Sequence, residues 1–135
     1  MSKIFRMRKL RNGLLLIGLC LVHSCYYDQA IEEAPIPDIP PDQPISFAQD
    51  IAPLFSRSGK ECTTCHNGSV QNPDLRPGNA YNALVPDYVN PGDAEGSVFY
   101  QHLPGNDHPI DVGFTLTTSE IALIKSWIDR GAENN

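Results

Sequence analysis

Cys62-Thr63-Thr64-Cys65-His66 sets two thiols three residues apart with an imidazole directly behind the second. This is the spacing of a haem attachment motif. Two thiols at this separation add across the vinyl groups of one haem and fix the macrocycle. The adjacent histidine then reaches the iron from one face. Thioether links keep the cofactor from dissociating, which suits a protein that works outside the cell.

Two other chemistries use the same cysteine pair. A thioredoxin-like dithiol needs a strand-to-helix setting, and no alternating strand pattern is evident in the chain. A zinc site is the stronger competitor. Cys62, Cys65, His102 and His108 supply two thiolates and two imidazoles, an acceptable tetrahedral set, although zinc leaves His66 without a role.

The remaining cysteines are explained by the N-terminus. Lys3, Arg6, Arg8, Lys9 and Arg11 precede an apolar run from Leu14 to Val22, and no acid lies among them. Nine residues make about 14 Å of helix, far short of the roughly 30 Å hydrocarbon core. The pattern is that of a secretory signal over residues 1–24. Val22-His23-Ser24-Cys25 resembles a bacterial lipoprotein cleavage site, in which the cysteine becomes the first mature residue and carries acyl chains. His23 departs from the small or apolar residue usual at its position. Cys20 leaves with the signal and Cys25 is the expected lipid anchor, so only Cys62 and Cys65 remain. No disulfide framework is available, even in an oxidising compartment.

The whole chain has 135 residues and a formal charge of −6. Cleavage before Cys25 leaves five basic residues (Arg57, Lys60, Arg76, Lys125, Arg130) against all 16 acids, a formal charge of −11. Such a surface repels nucleic acid and anionic headgroups and suits a basic redox partner.

Residues 25–44 read as a lipidated cysteine followed by a tether, since Pro35, Pro37, Pro40, Pro41 and Pro44 favour extended conformations. Residues 45–135 read as one small domain, mostly α. Ser46 with Gln49 is a capping-box pattern, and Phe47, Ile51, Leu54 and Phe55 follow on one helical face, interrupted by Pro53. Asn79 to Val85 is expected to make one or two turns. Asp93 is placed to cap a helix from Ala94 to Leu103. Thr117 with Glu120 is a second capping box, ahead of an apolar stripe of Ile121, Ile124, Trp127 and Ile128, and Gly131 is placed to end that helix.

With the attachment motif, the segments Ile45 to Phe55 and Thr118 to Ala132 resemble the small class I-like cytochrome c domains of bacterial lipoproteins. The resemblance implies a small helical fold around one covalent haem c, its first and last helices packed over a haem edge. It also assigns Asn72-Pro73-Asp74-Leu75 to the segment that follows the motif, and so implies haem contacts from Pro73 and Leu75. In that family the proline carbonyl accepts a hydrogen bond from the proximal histidine, here His66. The usual second ligand is a methionine before a proline. This chain has only Met1 and Met7, both in the leader, and His108-Pro109 stands in that place. His66 and His108 are therefore the expected iron ligands, with His102 or an open position as alternatives.

The function expected is electron transfer by a lipid-anchored, mono-haem c-type cytochrome of the bacterial cell envelope, a carrier rather than an enzyme. The outer membrane or the periplasmic face is the expected location. An open iron site would instead suit a peroxidase-like or gas-sensing domain. Zinc at the cysteine pair would suit an envelope interaction module.

Overall fold

The computed structural model describes residues 37–135. The leader, the cleavage site, Cys25 and the first part of the Pro-rich segment lie outside the described residues. No helix among the described residues is long and apolar enough to cross a membrane.

Helical turns take up only about a third of the described residues, and they share the domain with a two-stranded hairpin. The mostly α, class I-like helical fold expected from the sequence is therefore not the fold observed. The reason is local. Between Ile45 and Gly113 prolines and glycines recur too often for a helix to elongate, and a helix much shorter than about 12 residues is marginal by itself. Pro53, Pro73, Pro77, Pro86, Pro91, Pro104 and Pro109 all fall in this stretch.

The first element among the described residues is a π-helical turn, Phe47–Ile51, that passes into a 3-10 turn, Ala52–Phe55, at Pro53. Ser46 accepts from the Gln49 amide as the capping pattern requires. The reciprocal bond comes from Asp50 rather than Gln49, with the Ser46 amide donating to its carboxylate at 2.7 Å. A π turn is one residue wider than an α turn, which brings Asp50 back over the cap. The hairpin follows: β1 (Ser56–Arg57) pairs antiparallel with β2 (Lys60–Glu61) around Ser58-Gly59, and Gly59 takes φ 80°. Beyond it, α1 is Ala80–Leu84 and α2 is Val98–Gln101.

Helix α2 is shorter than the Ala94–Leu103 segment expected. Asp93 caps a tight turn instead, accepting from the Gly96 amide at 2.9 Å while its carbonyl accepts from the Ser97 hydroxyl. A β-carbon on Gly96 would overlap the Asp93 carboxylate, so a side chain there would displace the cap.

Among the described residues the one long element is α3, Thr118–Asp129. Thr117 and Glu120 make both bonds of the capping box. Ile121, Ile124, Trp127 and Ile128 are all buried. Gly131 (φ 103°) ends the helix, and the Gly131 and Ala132 amides donate back to Ile128 and Trp127. Trp127 packs on Phe47 at 5.1 Å between ring centroids, and Phe47 meets Tyr81 edge-on at 5.2 Å. Such aromatic contacts add about 0.5–1.5 kcal/mol each beyond area burial. They make the junction of the first turn, α1 and α3 the centre of the core.

The end of the Pro-rich segment is not free of the domain. Arg130, at the C-terminal end of α3, donates to the carbonyls of Ile39, Pro40 and Gln43 at 2.6–2.9 Å.

Candidate functional site

The cysteine pair follows directly on β2. Cys62–Thr64 is a 3-10 turn, and the amides of Cys65 and His66 both donate to the Cys62 carbonyl, at 3.2 and 2.8 Å. One closed helical turn therefore carries Cys62, Cys65 and His66. Residues three and four apart lie on the same side of such a turn. Cys62 and Cys65 are both free thiols, Cys62 half-buried and Cys65 exposed. Burial pushes the Cys62 thiol above its ordinary value, against a weaker backbone hydrogen bond that pulls it down.

A loop then returns to the same turn. The Gln71 amide donates to the Cys65 carbonyl at 3.1 Å and the Leu75 amide to the His66 carbonyl at 2.9 Å. Asn67 accepts from the Ser69 and Val70 amides, and Gly68 adopts φ 72° beside the Asp74 carboxylate. Asp74 and Arg76 are joined through two side-chain bonds, 2.9 and 2.7 Å. The Arg76 guanidinium, with Asn79, holds the Asp74 carboxyl well below the usual carboxylate range. Pro73 and Leu75 are both buried.

His66 Nδ1 is buried and has no hydrogen-bond partner. The bond to the Pro73 carbonyl that the resemblance implied is therefore not formed. Pro73 follows a cis peptide bond, and it is the Leu75 amide, bonded to the His66 carbonyl, that ties this segment to the histidine.

The other two histidines among the described residues lie away from this turn in the chain. His102 follows α2 and is exposed, with Nδ1 2.9 Å from the Asp107 carbonyl. His108 is half-buried, with Nδ1 2.8 Å from the Ile110 carbonyl and 3.4 Å from the Ile110 amide. The shorter contact decides the tautomer, since a carbonyl only accepts. In each ring Nδ1 then carries the proton, which leaves the Nε2 lone pair available to a metal. Among the described residues no three of His, Cys, Asp and Glu converge on a common point suited to a metal ion. The zinc set of Cys62, Cys65, His102 and His108 is thus not assembled.

A haem asks for something different, two thiols that reach the rim of a macrocycle and an imidazole that reaches its centre. The residues present fit that group. Both thiols are free, they share one turn with His66, and His66 keeps a buried ring nitrogen that no protein group satisfies. The large apolar side chains exposed among the described residues are Val70, Val98 and Ile110. Each lies within four residues of His66, His102 or His108.

One charged group at the site left little trace in the sequence. Glu120, in the first turn of α3, accepts from Lys60 at 3.0 Å and pairs with Arg57, so it grips the hairpin that delivers Cys62. Its capping-box role was legible; its hold on the hairpin was not. A shallow depression lined by Gln43, Trp127, Arg130 and Asn135 lies at the other end of α3 and includes none of the cysteines or histidines.

Compared with known protein families, curated proteins and solved structures, the chain matches none.

Proposed function

We propose that this chain is an exported, lipid-anchored electron carrier with one haem c attached through Cys62 and Cys65. The observation that carries the reading is the Cys62–His66 turn. It presents two free thiols and an imidazole on one side of a single turn, and these groups do not converge as zinc ligands do. Bound there, haem would supply a reversible one-electron couple. Cys62 and Cys65 would hold it covalently, and His66 and His108 would supply nitrogen ligands to its iron. His102 is the alternative donor, disfavoured because it is exposed.

The protein's own part is positioning and electrostatics. The loop Asn67–Leu75 closes over the His66 backbone and fixes where the ring emerges. All five cations of the mature chain are engaged. Arg57 and Lys60 pair with Glu120, Arg76 with Asp74, Lys125 with Asp129 and Glu95, and Arg130 with backbone carbonyls. The remaining acids are left uncompensated, a field that stabilises ferric iron and steers a basic redox partner.

The test is the intact mass and pyridine haemochrome spectrum of the full chain from a host competent in haem attachment. One haem increment per chain is expected, lost in Cys62→Ala and in Cys65→Ala. A wild-type chain without the increment overturns the reading. An iron site that is open in the reduced protein would bind carbon monoxide and move the peroxidase-like or sensor reading ahead. Anchoring is tested separately: Cys25→Ser is expected to leave the protein unacylated and in the soluble fraction.

A further inference from the structure

The hairpin that leads into the attachment turn carries a conflict that, among the described residues, Glu120 relieves. Arg57 and Lys60 are direct cross-strand partners. Like charges so placed destabilise a hairpin, and a two-stranded hairpin alone is marginal in water. Both cations reach the same carboxylate. That carboxylate has only 10 % of its side chain exposed, against 48 % for Arg57 and 25 % for Lys60. It is also fixed from behind, since the Thr117 amide donates to Oε2 at 2.7 Å. One buried group therefore joins the start of α3 to both strands, and β2 ends at Glu61, immediately before Cys62.

We propose that Glu120 is a positioning residue for haem attachment: by neutralising Arg57 and Lys60 against the head of α3, it holds the hairpin so that Cys62 is kept half-buried on the Cys62–His66 turn. Its purpose rests on the attachment reading above, but its effect on Cys62 does not. Glu120→Gln keeps an acceptor for the capping box while removing the charge that holds the hairpin. Arg57→Gln with Lys60→Gln removes the clamp from the other side and leaves α3 untouched. Thr117→Ala weakens the helix cap and leaves the clamp charged.

The experiment has two readouts. The first is the rate at which a small thiol reagent alkylates Cys62 relative to Cys65 in the full chain made without attachment machinery. Glu120→Gln and the double variant are each expected to raise this ratio several-fold, and Thr117→Ala to leave it as in wild type. The second is the fraction of chains carrying covalent haem in a competent host. It is expected to fall in the two clamp variants and to hold in Thr117→Ala. An unchanged ratio in both clamp variants overturns the proposal, as does an equal rise in Thr117→Ala, which would make Glu120 a helix cap only. If the wild type takes up no haem while the alkylation ratios behave as expected, the attachment reading fails and the clamp stands.

Discussion

The amide of Leu75 donates to the carbonyl of His66 at 2.9 Å, so the loop between them closes on the last residue of the Cys-x-x-Cys-His turn. Leu75 is also 4 % exposed and belongs to the core. One residue thus anchors the loop by its backbone and the domain by its side chain. Leu75→Ala is expected to cost about 2–5 kcal/mol in denaturant unfolding, the range for truncating a buried leucine. Val70→Ala, in the same loop but with Val70 69 % exposed, is expected to change stability by less than about 0.5 kcal/mol. Comparable losses from the two would mean that the loop is not anchored through Leu75.

What the sequence made legible was local. Helix α3 announces itself through Thr117, Glu120, the apolar stripe and Gly131, all within fifteen residues. The Cys-x-x-Cys-His turn is legible for the same reason. The hairpin was not, because Ser56-Arg57-Ser58-Gly59-Lys60-Glu61 has no apolar alternation. What holds the strands lies about sixty residues away at Glu120. The exchange of Gln49 for Asp50 at the first cap needed the π turn, which no residue pattern signals. The Arg130 clamp acts on backbone carbonyls and so leaves no mark on the residue types it holds. The helical fold expected by resemblance failed because two good helix ends do not decide the proline- and glycine-rich stretch between them.

Glu120 makes acid stability a measurable property of the clamp. Burial pushes its carboxyl upward, but bonds from the Thr117 amide and the Lys60 ammonium outweigh this and hold it below its ordinary value of 4.5. A carboxyl depressed in the folded state stabilises the fold fully above its unfolded value and loses that contribution as pH falls through the folded one. The stability difference between wild type and Glu120→Gln is therefore expected to be constant near neutrality and to shrink below about pH 4.5. Asp74 and Asp129 are depressed too, by Arg76 and by Lys125 with the Ala94 amide respectively, the latter against the upward push of burial. They act in both proteins and cancel in the difference. A difference independent of pH down to 3 would show that the charge on Glu120 contributes nothing.

Arg130 provides a test of where the folded domain begins. Its guanidinium holds Ile39, Pro40 and Gln43 through their carbonyls, and Ile39 packs partly against the core. Arg130→Ala is expected to lower stability by about 1–2 kcal/mol, because several charge-assisted bonds are lost from an exposed position. It should also speed limited proteolysis within residues 37–44, while cleavage within residues 45–135 stays slow. Unchanged cutting in this segment would return it to the tether.

The second iron ligand is the sharpest test of the proposed haem site. Met1 and Met7 both fall in the proposed leader, so on that reading a thioether ligand is unavailable and imidazole is the donor at hand. His102 and His108 both fix the Nδ1 proton on a backbone carbonyl and leave Nε2 as the donor atom. They differ in setting. His102 is exposed at the end of α2, where a ligand would have to hold iron against water. His108 is half-buried between Asp107 and Pro109, beside the exposed Ile110 that an apolar macrocycle would cover. Imidazole on both faces favours ferric iron, and so does the uncompensated acidic surface, so the potential is expected to lie well below that of a His/Met protein. The wild-type spectrum is expected to be low-spin in both oxidation states. His108→Ala should turn it high-spin and reactive with carbon monoxide, His102→Ala should leave it low-spin, and His108→Met should raise the potential. A low-spin spectrum that survives His108→Ala but not His102→Ala would move the ligand to the end of α2. A wild type already high-spin and open to carbon monoxide would mean that neither ring reaches the iron.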